Sequence, residues 1–167
     1  IQANRKPLAH ITGWGHTTVG LGLAQKLNRN QHSEFVMPHV RKAITDAFSR
    51  ANIQSVNDID SIETHDCMSA SEYMAIDHFG ITAPGESWKA VENGDITRDG
   101  RIPVNPGGGL IGGGHPVGAT GARMLADATK QVTDDAGDYQ VAGANRVATL
   151  NIGGSTATTA SFIIERA

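Results

Sequence analysis

Residues 105–121 read NPGGGLIGGGHPVGATG, and eight of the chain's 20 glycines fall between Gly107 and Gly121. An average usage of roughly 7% would spread about 12 glycines over a chain of this size. Concentrated glycine permits backbone dihedrals and close approaches that a Cβ forbids. His115 stands between a glycine triplet and Pro116, directly before an amphipathic run. Such a loop can bring an imidazole and several amides up to a substrate, and the N-terminus of the following helix stabilises developing negative charge. An isolated Gly-His-Pro also reads as a sharp turn with a surface histidine. Seventeen residues of this composition favour an oxyanion site.

Two phosphate-binding readings of the same stretch fail. Gly107, Gly109 and Gly112 have GxGxxG spacing, but Pro103 and Pro106 spoil the preceding strand and no strand-end acid follows at about 20 residues. A GxxxxGK(S/T) loop is absent.

Outward from the glycines, Gly118–Val132 places Ala122, Leu125, Ala126 and Val132 on one face and Arg123, Asp127 and Lys130 on the other, which predicts a helix. Upstream, Val36, Val40, Ile44, Ala47, Phe48 and Ala51 recur at helical spacing over Phe35–Ala51, with Pro38 in the first turn. Val56–Thr64 (VNDIDSIET) reads as a strand whose end delivers His65, Asp66 and Cys67. Ser69–Gly80 then reads as a helix, with Ser69 and Glu72 at capping-box spacing and Gly80 as its stop. A first strand is expected at Pro7–Gly13, a short helix at Gly22–Leu27, and a helical turn around Ser87–Val91 with Trp88 as a packing anchor. Val147–Ile152 and Ala157–Ile164 are β-branched runs joined at Gly153 and Gly154, a terminal hairpin. Strand and helix alternate and strands close the chain. The expected fold class is α/β, helices packed on a mixed sheet, in one domain over residues 1–167.

Lys and Arg total 14 against 17 Asp and Glu, with no run of like charge to mark a nucleic-acid footprint. No apolar run of about 18 or more residues suggests a membrane span. The expected partner is a small molecule or another protein surface. Cys67 is the only cysteine, so no internal disulfide can form, and a reducing, cytoplasmic setting fits. A thiol on the turn into a helix sits near the positive end of the dipole, which favours thiolate; a lone cysteine is also commonly a small buried hydrophobe. A metal site from His65, Cys67 and His78 lacks the paired spacings of zinc sites, and no metal is expected. His10, His16, His32, His39 and His78 read as structural or solvated.

Three ordered motifs carry a family resemblance: ETHDC before a capped helix, then NPGGGLIGGGHPVGATGAR, then a strand ending in NIGG. Together they resemble the C-terminal half of the thiolase superfamily, most of all its SCP2-thiolase group. The resemblance runs from about Lys6 to the C-terminus and includes MPHVRKAITDAF and DIDSIETHD. It implies a βαβαβαββ-type domain and assigns roles by matching motif. His115 falls where the family activates its nucleophilic cysteine and binds the thioester oxygen. His65 resembles the residue completing that oxyanion hole. Cys67 matches the cysteine of the family's HDCF motif, an acid/base that moves the α-carbon or leaving-thiol proton. The family's CxG motif aligns with Asn151, Ile152 and Gly153, so asparagine stands in the usual acid/base cysteine position, while Gly153 can still offer a backbone amide. HDCM departs from HDCF at Met68, an apolar change that bears on pocket shape.

The resemblance also implies something missing. The family's nucleophilic cysteine and much of its coenzyme A contact lie in an N-terminal half that nothing here resembles. The expectation is therefore the C-terminal domain of an acyl-CoA C-acyltransferase, performing thiolysis of 3-ketoacyl-CoA or Claisen condensation. It is expected to be inactive without an N-terminal half encoded upstream or on another chain. A coenzyme A thioester would be the substrate, with no permanently bound cofactor, in a homodimer or higher oligomer. Two alternatives stay open: a thiolase-like retro-aldolase acting on CoA esters, and a non-catalytic domain that only binds acyl-CoA or assembles.

Overall fold

The computed structural model describes residues 8–167, so Lys6 and Pro7 lie outside the described residues. The elements are β1 (Ala9–Thr18), α1 (Leu23–Asn30), α2 (Pro38–Arg50), β2 (Ser61–Thr64), α3 (Ser69–Phe79), α4 (Ser87–Glu92), α5 (Gly109–Gly113), α6 (Thr120–Val132), β3 (Arg146–Gly153) and β4 (Thr158–Arg166). The four strands form one mixed sheet in the order β1-β4-β3-β2. β2 and β3 are parallel, whereas β4 runs antiparallel to both β3 and β1. Beyond β2, Val104 adds a single parallel bridge to Ile62. The expected βαβαβαββ pattern is thus kept, with its third strand reduced to that bridge.

Side-chain alternation along the strands gives each face of the sheet its own cover. Ile62, Ala148, Leu150 and Ile163 join the larger core with Val40, Ile44, Ala47 and Phe48 of α2 and Ala75, Ile76 and Phe79 of α3. Val147 and Ile164 face the other way, onto Ala128 and Val132 of α6. The result is a three-layer arrangement with helices on both faces of the sheet.

Several local expectations need correction. β1 continues to Thr18, well past Gly13. Its inward positions Gly13 and Gly15 carry no apolar side chain to reveal the alternation, because a Cβ there would lie 2.1 Å from Ala47 O and 1.8 Å from Ala43 O of α2. Val56–Asp58 is a 3-10 helix rather than strand: Ser55 accepts the Asn57 N–H and Asp58 takes the Ser55 N–H, a local alternative to sheet pairing. Ser69 and Glu72 form no capping box, since Met68 is the N-cap and Glu72 instead accepts a hydrogen bond from Asn105. On α6 the buried stripe is Thr120, Met124, Asp127, Ala128, Gln131 and Val132, with Ala122 and Ala126 exposed. Asp127 can be buried because Lys130 and Arg123 lie beside it. Trp88 is 47% exposed beneath the Lys89 ammonium, so it anchors no core.

Candidate active site

Parallel β2 and β3 end side by side, and in open α/β sheets the carboxyl ends of parallel strands are where ligands bind. Thr64 pairs with Leu150, and the His65 N–H donates to Leu150 O, so His65 follows in register beside Asn151. Ile62 faces the α2 side, so period-two alternation turns Glu63 and His65 toward α6, together with Asn151.

The glycine loop arrives from the other side. Asn105 holds a left-handed backbone, φ 52°, and its carboxamide ties three segments together. Its Oδ1 accepts the Thr64 N–H at 2.8 Å and its Nδ2 donates to Glu72 Oε2 at 2.8 Å. Burial raises the Glu72 carboxyl above its ordinary range, opposed by this bond from Asn105. Asp66, nearly fully buried, accepts the Leu110 N–H at 2.5 Å. A Cβ at Gly109 would come within 2.2 Å of that carboxylate, and Gly109 has φ +59°. Glycine is required there for both reasons. The short α5 that results had no signal in the sequence beyond glycine itself.

These contacts bring the two predicted histidines together. The His65 and His115 rings pack edge to face with centroids 5.0 Å apart. Burial, and then the neighbouring His115, lower the His65 pKa, while Asp66 opposes them. His115 is exposed, and its Nδ1 lies 2.7 Å from Thr120 Oγ1, which is also 3.2 Å from Pro116 O. When the single hydroxyl proton goes to Pro116 O, Nδ1 must be the donor to Thr120, leaving Nε2 free to accept a proton. Cys67 is an exposed free thiol 3.9 Å from Ser71 Oγ, so it is no core hydrophobe.

The family model for thiolase C-terminal domain-like sequences matches residues 23–166. The chain belongs to that family. It is 43% identical over 124 residues to the acetyl-CoA acetyltransferase of Methanothermobacter thermautotrophicus, covering 74% of this chain and 32% of that protein. It is 37% identical over 113 residues to sterol carrier protein 2 of Gallus gallus, covering 68% of this chain and 20% of that protein. The thiolase-like chain thus spans about a third or less of the length of these relatives. Its fold is similar to a solved Ltp2-ChsH2(DUF35) aldolase chain, with TM-score 0.76 and 17% identity over 95% of this chain and 39% of the other.

The remaining candidate residues of this thiolase-like domain, Asn151 and Gly153, lie at the end of β3. Asn151 Nδ2 lies 2.9 Å from Met124 Sδ, turning the carboxamide onto α6. Gly153 is exposed and pairs with Thr158 where β3 turns into β4. Ser155 and Thr156 of that turn are both left-handed. Two buried side chains hold it: the Lys26 ammonium donates to Ser155 O and to Leu21 O, and His39 Nε2 donates to Thr156 O at 2.9 Å. Sequence reasoning passed over Lys26; a lysine in a weakly periodic glycine-rich segment gives no sign of burial. Burial lowers the His39 pKa despite its bond to Thr156 O.

His78 is wholly buried between α3 and the start of α2. Its Nδ1 donates to Asp77 of the same helix at 2.5 Å, and its Nε2 accepts the Met37 N–H, the one of the two bonds that joins α3 to the start of α2. No cluster of three metal-ligating side chains occurs among the described residues. Among them, too, no helix is long and apolar enough to cross a membrane.

Proposed function

We propose that this domain supplies one wall of a thiolase-type active site, acting on coenzyme A thioesters in thiolysis of 3-ketoacyl-CoA or in Claisen condensation. The 5.0 Å approach of His65 and His115, delivered by two separate loops, is the observation that carries the reading. His115 Nε2 would take the proton of a nucleophilic thiol or donate to the thioester oxygen. His65, kept neutral by burial and by its neighbour, would donate the second hydrogen bond to that oxygen. Cys67, exposed on the same turn, would exchange the proton of the α-carbon or of the leaving thiol. Gly153 would offer its amide to a second oxyanion hole, with Asn151 beside it. An acyl-enzyme mechanism needs a nucleophile beside its base, and Cys67 cannot serve as both.

The nucleophile would therefore come from an N-terminal thiolase half. Met68, Ile111 and Val117 are exposed apolar residues on the site loops, at 67%, 68% and 82%, and support covering of this wall by that half. The whole enzyme would work as a homodimer or higher oligomer in a reducing, cytoplasmic setting, with no tightly bound cofactor.

The test is turnover of 3-ketoacyl-CoA by the enzyme assembled from both halves. Cys67→Ala and His115→Ala are each expected to lower kcat by about 100-fold or more, the range for an essential acid/base. Unchanged turnover in both variants would leave only a binding or assembly role. Cleavage of a β-hydroxyacyl-CoA carbon–carbon bond without free coenzyme A would favour retro-aldol chemistry instead, with which the similarity in fold to an aldolase chain is compatible.

A further inference from the structure

Beneath the glycine loop lies a group of charged side chains to which the reaction above gives no task. Glu63 is fully buried, and among the described residues neither carboxyl oxygen makes a well-formed hydrogen bond. A Cβ at Gly107 would stand 3.5 Å from Glu63 Oε1 and 3.5 Å from the Tyr139 ring, so carboxyl and ring together form the surface under the first glycine. Six residues on, a Cβ at Gly113 would stand 2.5 Å from Arg123 Nη1. Among the described residues the buried Nε and Nη2 atoms of Arg123 have no partners, and its ion pair is a 3.7 Å approach to Asp127. An acid under one end of the loop and a guanidinium under the other bracket the segment that leads into His115.

Such an arrangement is costly. Burial first, and then Asp127, push the Glu63 carboxyl up to about 7; Asp66 adds to the rise, while the Gly107 amide and Arg123 oppose it. A buried ionisable group perturbed in this way, set against a loop that carries a candidate site residue, is a candidate for a functional role.

We infer that Glu63 and Arg123 are positioning residues that seat the glycine loop from below and thereby set where His115 stands relative to His65. The inference rests on the catalytic reading only for what the loop is positioned to do. The groups facing Glu63 are Asp127 and Arg123 from α6, with Lys130 behind Asp127, then Asp66 from the turn after β2, the Tyr139 ring, and His65 further along the same strand face. With the proton on, Glu63 packs against Gly107 as a neutral acid. With it off, the carboxylate is held out of water facing Asp127 and Asp66, a cost larger than the gain from the Gly107 amide and Arg123, so opening of the loop to solvent is favoured.

Hydrogen exchange of the Gly107–Gly113 amides in the purified chain tests this, with intrinsic rates corrected for pH. Between about pH 6 and about pH 8.5 wild-type protection of these amides should fall about tenfold. Glu63→Gln, which mimics the neutral acid, should remove the pH dependence, and Glu63→Ala should lose about tenfold protection at both pH values. Should the alanine variant not fold, the glutamine variant still decides. Matching pH profiles for wild type and Glu63→Gln would overturn the inference, as would a Glu63→Ala enzyme with unchanged kcat. In the assembled enzyme, Glu63→Ala should lower kcat about 10- to 100-fold with KM within about twofold, and Glu63→Gln should restore it. A wild-type enzyme without turnover would sink the catalytic reading and leave the exchange result standing.

Discussion

The Asp66 carboxylate accepts the Leu110 N–H at 2.5 Å, and this one bond joins the turn that carries His65 and Cys67 to the glycine loop that carries His115. Its length along the sequence is 44 residues, so neither loop could be placed from its own neighbours. The bond also explains why glycine is needed opposite it.

Gly109→Ala should therefore be costly, since Gly109 combines φ +59° with a Cβ position inside the Asp66 carboxylate. Gly112, in the same short helix, has nothing within 4 Å of its Cβ position and no positive φ. We expect Gly109→Ala to destabilise by about 2–4 kcal/mol and Gly112→Ala to change stability by less than about 1 kcal/mol in either direction. Urea unfolding of the two variants measures the contrast, and equal costs would contradict it.

Stability should depend on pH through Glu63. Its folded pKa of about 7 lies above the ordinary 4.5, so the folded state holds the proton more tightly. Stability from this group is then greatest below the unfolded value, declines as pH rises from about 4.5 to about 7, and stays low above that. The full penalty is on the order of 3 kcal/mol for a group buried this deeply. Glu63→Gln should thus match wild type near pH 4.5 and exceed it near pH 8, as read from the difference between denaturation midpoints at the two ends.

The two histidines should sense each other. Burial and the adjacent His115 together lower the His65 pKa, so His115→Ala should raise it while the burial contribution remains. Imidazole carbon or nitrogen shifts followed by NMR through pH 4–8, about the range in which histidines titrate, give the value directly. A lowered His65 pKa in the folded state means that its cost is fully present below that value and vanishes as pH rises past the unfolded value. An unshifted His65 in the alanine variant would show that the rings are not coupled.

Lys26 should act at a distance from the thiol chemistry, through the β3–β4 turn. Its buried ammonium serves Ser155 O and Leu21 O, and the turn it holds contains two left-handed residues other than glycine. Lys26→Met keeps the aliphatic stem but leaves those carbonyls without their donor, at a cost of about 1–3 kcal/mol. Amide exchange should speed up over residues 153–157 and remain unchanged over the Gly107–Gly113 segment.

Much of the architecture was legible because it is local. Val40, Ile44, Ala47 and Phe48 repeat at helical spacing and form α2; the β-branched runs on either side of Gly153 and Gly154 form the β3–β4 hairpin. Legibility failed where a side chain answered to a distant partner. The run from Gly13 to Thr18 carries no apolar alternation, because α2 presses its backbone against Gly13 and Gly15. Glu72 looked like a capping residue, and its carboxylate is spent on Asn105, 33 positions away.

For the site itself, the sequence by itself determined which residues could do chemistry: a histidine and a cysteine on a strand-to-helix turn, and a second histidine after a glycine run. It determined this because motif composition and strand-end position are properties of short segments. Only the tertiary structure decided that His65 and His115 stand 5.0 Å apart, that Cys67 is exposed rather than packed, and that Glu63, Asp66 and Arg123 lie under the glycine loop. Those facts depend on the parallel pairing of β2 with β3 and on the docking of α6 against both. Spacing along a chain does not encode which distant backbone a buried charge will meet.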